Sequence, residues 1–130
     1  MEFLQMMHWE QVEAVFSFDY FPLISMLCEM NQIPYEERCK VYTNALITYG
    51  DQKQMVKCLE ELAECQQAIC KILIGGENFD HLAEEIADAT VTLEQMRLLF
   101  NINDRVCQYM DAKVQRLDDN LRKGGGSHAR

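Results

Sequence analysis

The sequence predicts an all-α protein, a helical bundle completed by oligomerisation, and three observations carry that reading. Its 130 residues include only two prolines and six glycines, which leaves little turn-forming material for a β fold. Leu, Met, Glu, Gln and Ala, which favour helices, are abundant. Apolar residues recur at three- and four-residue intervals along most of the chain, the period of a helix with one buried face. With 48% hydrophobic residues, a chain of this length can build the core of one domain.

Residues 2–17 carry Phe3, Met6, Trp9, Val12 and Phe16 at helical spacing, predicting a first helix. The stretch Phe18-Asp19-Tyr20-Phe21-Pro22 interrupts it, and Pro22 suits the first turn of a short helix ending near Asn31. After Pro34, residues Val41, Tyr42, Ala45, Leu46 and Tyr49 mark a helix from 35 to 49, stopped by Gly50. Asp51 followed by Gln54 reads as a capping box. It opens a long helix over about 52–73, with an expected core stripe of Met55, Leu59, Leu62, Gln66, Ile69 and Leu73 and a stop at Gly75-Gly76. Asp80 or Asn78 can cap the next helix, which runs to about Phe100 with Leu82, Ile86, Ala89, Leu93, Met96 and Phe100 on one face. The short link makes these two helices antiparallel neighbours. A last helix over 104–122 aligns Val106, Met110, Val114, Leu117 and Leu121. Residues 124–130, mostly small or polar, offer nothing to pack and are expected to be a disordered tail.

The formal charge of −9 argues against a nucleic-acid polymer as partner, because such affinity comes largely from Lys and Arg on phosphates. A small polyphosphate differs, since a bound cation can supply positive charge locally. No apolar run approaches the roughly 20 residues of a membrane span, and the first basic residue is Arg38, so no signal-peptide n-region is expected. Six cysteines, at 28, 39, 58, 65, 70 and 107, form no C-x-x-C pair. They fit a reducing cytoplasm, with Cys58 and Cys65 as buried small hydrophobes. His8, His81 and His128 are isolated in sequence, and a surface role is expected for each.

The most informative residues are two acidic clusters, Glu60-Glu61-Leu62-Ala63-Glu64 and Glu84-Glu85-Ile86-Ala87-Asp88. At about 100° per residue, Glu61 and Glu64 sit one turn apart on the first helix, as do Glu85 and Asp88 on the second. If the pairs face each other, four carboxylates converge, and oxygen-only ligands suit Mg²⁺ or Mn²⁺. Without a cation the like charges repel. The alternative is two solvated acidic faces, and Glu61 and Glu64 lie roughly opposite part of the expected apolar stripe, so a second buried face or a partner subunit is required. A di-iron bundle is disfavoured, because its Glu-x-x-His pairs are missing. With no phosphate-binding glycine loop of the G-x-x-x-x-G-K-[ST] type, phosphate chemistry here would have to be borne by metal.

The pattern E-E-x-x-E at Glu60, Glu61 and Glu64, followed by E-x-x-D at Glu85 and Asp88, resembles the signature of the MazG-like, all-α nucleoside triphosphate pyrophosphohydrolases. The likeness runs from about Tyr42 to Lys123 and takes in Tyr49-Gly50, Gln54, Leu93-Glu94-Gln95 and Asp111-Ala112-Lys113 through Leu117. Short phage and Firmicutes versions are the most similar. Residues 41–123 would be the catalytic helical domain and residues 1–40 an N-terminal helical extension without a functional reading. The resemblance implies that Glu61, Glu64, Glu85 and Asp88 hold Mg²⁺, with Mn²⁺ as the alternative, and that water attacks an NTP or dNTP to release NMP and pyrophosphate. Glu60 would orient water or a neighbouring group, or be an exposed helix glutamate. Lys113 and Arg116, at i, i+3 spacing, would hold the leaving pyrophosphate or else pair with Asp111 or Asp119 on a solvated face. Gln54, Tyr49 and Phe79 are candidates for recognising the base.

Two other functions compete with hydrolysis. One is a module whose same pocket sequesters a nucleotide or nucleotide signal without cleaving it, and the other is a structural oligomer whose carboxylates are only a solvated face. The expected partners are a small nucleotide and further copies of the chain, as a homodimer or homotetramer, with no membrane. The reason is burial, because several amphipathic helices are hard to satisfy in one small chain that must also open an acidic pocket. The expected location is the cytoplasm, that of the bacterial host if the protein is phage-encoded.

Overall fold

The computed structural model describes residues 33–125, and among these it is all helical, with no strand. The helices are α1 (Tyr35–Tyr49), α2 (Asp51–Leu73), α3 (Phe79–Leu99) and α4 (Asn103–Gly125). The helices expected within residues 2–31 and the tail from 126 onward lie outside the described residues. None of these helices is long and apolar enough to cross a membrane.

Local chemistry sets the ends. Gly50 adopts φ +89° between α1 and α2, a conformation that side chains with a Cβ rarely take. It occupies the N-cap of α2, and its carbonyl accepts the amide of Gln54 at 3.1 Å. The expected capping box is therefore not formed. Asp51 is already inside the helix, no side chain caps the start, and Asp51 acts only as a negative charge in the first turn. At the far end, Gly75 turns the chain with φ +96°, while Gly76 approaches Lys71 so closely that an added Cβ would meet its carbonyl oxygen at 2.8 Å. Asn78, rather than Asp80, caps α3, its Oδ1 accepting the His81 amide at 3.1 Å. Asn101, in a left-handed conformation with φ 51°, turns the chain into α4.

Helices α2 and α3 pack along their length as an antiparallel hairpin, and this is the main tertiary contact among the described elements. The surface of α2 that faces inward is Gln54, Cys58, Glu61, Cys65, Ala68 and Ile72, of which Cys58, Glu61 and Ala68 are buried and the others half-buried. On α3 the buried residues are Glu85, Ala89, Thr92 and Gln95. Thr92 is satisfied by the carbonyls of Asp88 and Ala89, both at 3.1 Å. The expected stripes are corrected here. Met55, Leu59, Leu62, Ile69 and Leu73 are all exposed, as are Ile86, Leu93 and Phe100, whereas Ala89 is buried and Leu82 and Met96 are half-buried.

Helix α1 is tied to α3 through polar side chains. The buried Tyr42 hydroxyl donates to Glu94 Oε2 at 2.6 Å, and Arg38 Nε lies 3.3 Å from the same oxygen. Burial, then the hydrogen bond to Glu94, pushes the Tyr42 hydroxyl up to about 12. Helix α4 packs on α3 only near the turn that joins them. Its stripe of Met110, Val114, Leu117 and Leu121 is exposed.

Candidate metal centre

Glu61 lies midway along α2 and Glu85 one and a half turns into α3, and the hairpin sets them against each other. Both are buried, at 5% and 8% exposure, although glutamate is rarely found inside a protein without a partner. With Glu64, which is exposed one turn after Glu61, they bring three carboxylate oxygens within 4.8 Å of one another. Asp88 is exposed one turn beyond Glu85 and is not part of this group. The structure thus assembles three of the four expected ligands and leaves Asp88 at the rim.

Two basic side chains answer the buried carboxylates, each from one turn earlier on the same helix. Lys57 Nζ forms an ion pair with Glu61 Oε1 and lies 3.8 Å from Glu60 Oε2. The hydrogen bond to Glu61 foremost, reinforced by the negative charges of Glu61, Glu60 and Glu64, holds the Lys57 ammonium above its ordinary range. His81 Nδ1 stands 3.3 Å from Glu85 Oε1. The other oxygen, Glu85 Oε2, is buried and has no hydrogen-bond partner among the described residues. A desolvated carboxylate oxygen with an open lone pair, beside two further carboxylates, is costly unless a cation or water completes it. By donor type, by spacing and by the unpartnered Glu85 Oε2, the three glutamates could hold a hard divalent cation.

The remaining candidates are dispersed. Glu60 is exposed beside Lys57, and Gln54 is half-buried on the inner surface of α2, two turns before Glu61. Lys113 and Arg116 are exposed on α4, and among the described residues neither makes an ion pair or a side-chain hydrogen bond. Asp119 is engaged instead by Gln115, at 3.1 Å. Tyr49 and Phe79 are exposed at opposite ends of the hairpin. Sequence reasoning missed Lys57 and the pairing of His81, whose side chain is 37% exposed, with Glu85. The signal was present in both cases, a basic residue four positions before a cluster glutamate.

Among the described residues, Cys39, Cys58, Cys65, Cys70 and Cys107 are free thiols. Cys58 is buried and Cys65 half-buried, in line with their reading as small hydrophobes, while Cys70 and Cys107 are exposed. In comparisons with known proteins, no family model, curated protein or solved structure matches this chain.

Proposed function

We propose that the chain is a Mg²⁺-dependent nucleoside triphosphate pyrophosphohydrolase, converting NTP or dNTP and water into NMP and pyrophosphate. The observation that carries this reading is the convergence of Glu61, Glu64 and Glu85, two of them buried and one with an unpartnered oxygen. The resemblance of the E-E-x-x-E and E-x-x-D spacing to the MazG-like enzymes supplies the choice of substrate.

In this reading Glu61, Glu64 and Glu85 would hold Mg²⁺ from the two helices, and Asp88, exposed one turn after Glu85, would be a further ligand. Bound there, Mg²⁺ would neutralise phosphate charge and lower the pKa of an attacking water. The chain's own groups do the rest. Packing of α2 on α3 fixes Glu61 and Glu85 before substrate arrives, so little reorganisation is needed. His81 fixes the orientation of the Glu85 carboxylate. Glu60, exposed beside Lys57, would orient the water or a neighbouring group and take up the proton that the water loses. The P–O bond between the α-phosphorus and its bridging oxygen breaks, and the leaving pyrophosphate takes the electron pair. No side-chain nucleophile is required.

A panel of NTPs and dNTPs incubated with Mg²⁺, assayed separately for pyrophosphate and orthophosphate, tests the reading. Pyrophosphate release is expected. Orthophosphate alone would contradict it, and tight binding without turnover would assign the site to nucleotide sequestration.

The functional unit in this proposal is a homo-oligomer, most simply a dimer. Met55, Leu59, Leu62, Ile69 and Leu73 on α2 and Phe79, Ile86, Leu93 and Phe100 on α3 are each 40–79% exposed. Together they offer an area on the order of the 800 Å² per partner that specific complexes bury. Both sets lie one residue beyond the inward surface of their helix. In an antiparallel pair, a step of about 100° turns both toward the same side. The result is a two-helix layer with one apolar face, which a second copy can match by twofold symmetry.

A further inference from the structure

Basic side chains near the cluster can share the charge of a polyphosphate with the metal, and their location favours some phosphate positions over others. Arg38 is engaged by Glu94, Arg122 by Asp118 at 2.9 Å, and Arg97 donates to Cys107 Sγ at 3.2 Å. Lys113 and Arg116 stand on α4, whose packing is with α3 near the connecting turn rather than along α2. Lys57, in contrast, touches the cluster directly.

Lys57 also lines an open groove of about 570 Å³ that continues along α2 past Lys53 and Gln54 to Tyr49 at the end of α1. That volume lies within the range of small-ligand sites. Lys53 and Lys57 stand one turn apart on α2, with about 6 Å of rise between them, and Tyr49 lines the same groove from the end of α1, across the break at Gly50. Val56 and Glu60 line the same groove.

We infer that this groove is the nucleotide track, with Lys57 and Lys53 holding the polyphosphate and Tyr49 carrying the base. The inference rests on the metal-site reading above and transfers the phosphate-binding role from Lys113 and Arg116 to α2. Lys57 has two successive partners. Without a divalent cation it neutralises Glu61, and when a cation takes that carboxylate the half-exposed Lys57 side chain turns to a phosphate oxygen. Lys53, one turn farther along, meets the next part of the chain of phosphates by a charge-assisted hydrogen bond. The exposed ring of Tyr49 offers a flat apolar face to a base.

Calorimetric titration of the full-length chain with inorganic tripolyphosphate in saturating Mg²⁺ tests the track without depending on base preference. Lys53→Met is expected to weaken tripolyphosphate binding about tenfold and leave Mg²⁺ affinity within about twofold of wild type, and Lys113→Met to change neither. Tyr49→Ala should leave tripolyphosphate affinity unchanged while weakening the tightest of four α,β-methylene nucleoside triphosphates about tenfold. Wild-type tripolyphosphate affinity in Lys53→Met, or a larger loss in Lys113→Met, overturns the track. If wild type hydrolyses NTPs in that event, the proposed function survives and only the track fails. If wild type binds no Mg²⁺, both fall.

Discussion

Two surfaces of α2, displaced by a single residue, have opposite fates. Gln54, Cys58, Glu61, Cys65, Ala68 and Ile72 face α3, whereas Met55, Leu59, Leu62, Gln66, Ile69 and Leu73 face away from it and are exposed. Both sets follow the same alternation of four- and three-residue steps, so periodicity cannot choose between them. Hydrophobicity chooses the second, yet the chain packs the first on α3. A helix bearing two such stripes about 100° apart belongs at the corner of a larger bundle, with one stripe for each neighbour. The comparison teaches that burial on this hairpin follows the polar stripe rather than the apolar one; on the proposed reading, the first is kept inside because it carries the site and the second serves assembly.

The neighbouring residues Glu61 and Leu62 give the sharpest way to break this division. Glu61→Gln is expected to lower Mg²⁺-dependent pyrophosphate release at least about 100-fold while leaving the oligomer intact, because an amide cannot supply the ligand charge. Asp88→Asn, at the rim, should cost less, about tenfold. Equal and full activity in both variants would remove the site. Leu62→Glu is expected to do the converse in light scattering, converting a dimer to a monomer by placing a charge in the apolar face. A wild-type chain that is already monomeric and active would sink the assembly claim and assign the cover of that face to the N-terminal segment.

The same comparison explains what could be read in advance. Helix boundaries were legible because Pro34, Gly50 and Gly75-Gly76 punctuate the chain, and α1 spans the expected 35–49. The acidic spacing was legible as far as Glu61, Glu64 and Glu85. The facing stripe was not, since two heptads one residue apart differ only in composition. Asp88 was grouped by its i, i+3 relation to Glu85, but spacing within one helix says nothing of the register against the other. The capping box failed because Gly50, with its positive φ, took the N-cap position before Asp51 could use its carboxylate.

A smaller effect should appear in the stability of the protein without metal. Glu85→Gln removes a buried carboxylate whose Oε2 has no partner and whose neighbours repel it, so the variant should melt about 4 °C higher in chelator, a gain of about 1 kcal/mol. Glu61→Gln should gain less, because it also breaks the Lys57 ion pair. A large loss of stability in Glu85→Gln, followed by thermal denaturation, would make that residue structural.

A separate effect, confined to high pH, concerns Tyr42, outside both stripes. Its folded pKa is raised from 10.0 to about 12, so the folded state retains the proton after the unfolded chain has released it. The resulting stability is complete below pH about 10 and is lost as pH rises from there through about 12. Denaturant melts across that window should show this decline in wild type and not in Tyr42→Phe. Parallel pH profiles would mean that the Tyr42–Glu94 bond does not hold α1 to α3 in solution.

Calorimetric titration of Mg²⁺ into wild type and Glu85→Gln addresses the central claim, that the polar stripe is a metal site, most directly. The account predicts saturable binding in wild type and its loss in the variant, with the helical content of the two unchanged by circular dichroism. Equal binding in both, or none in wild type, would contradict it.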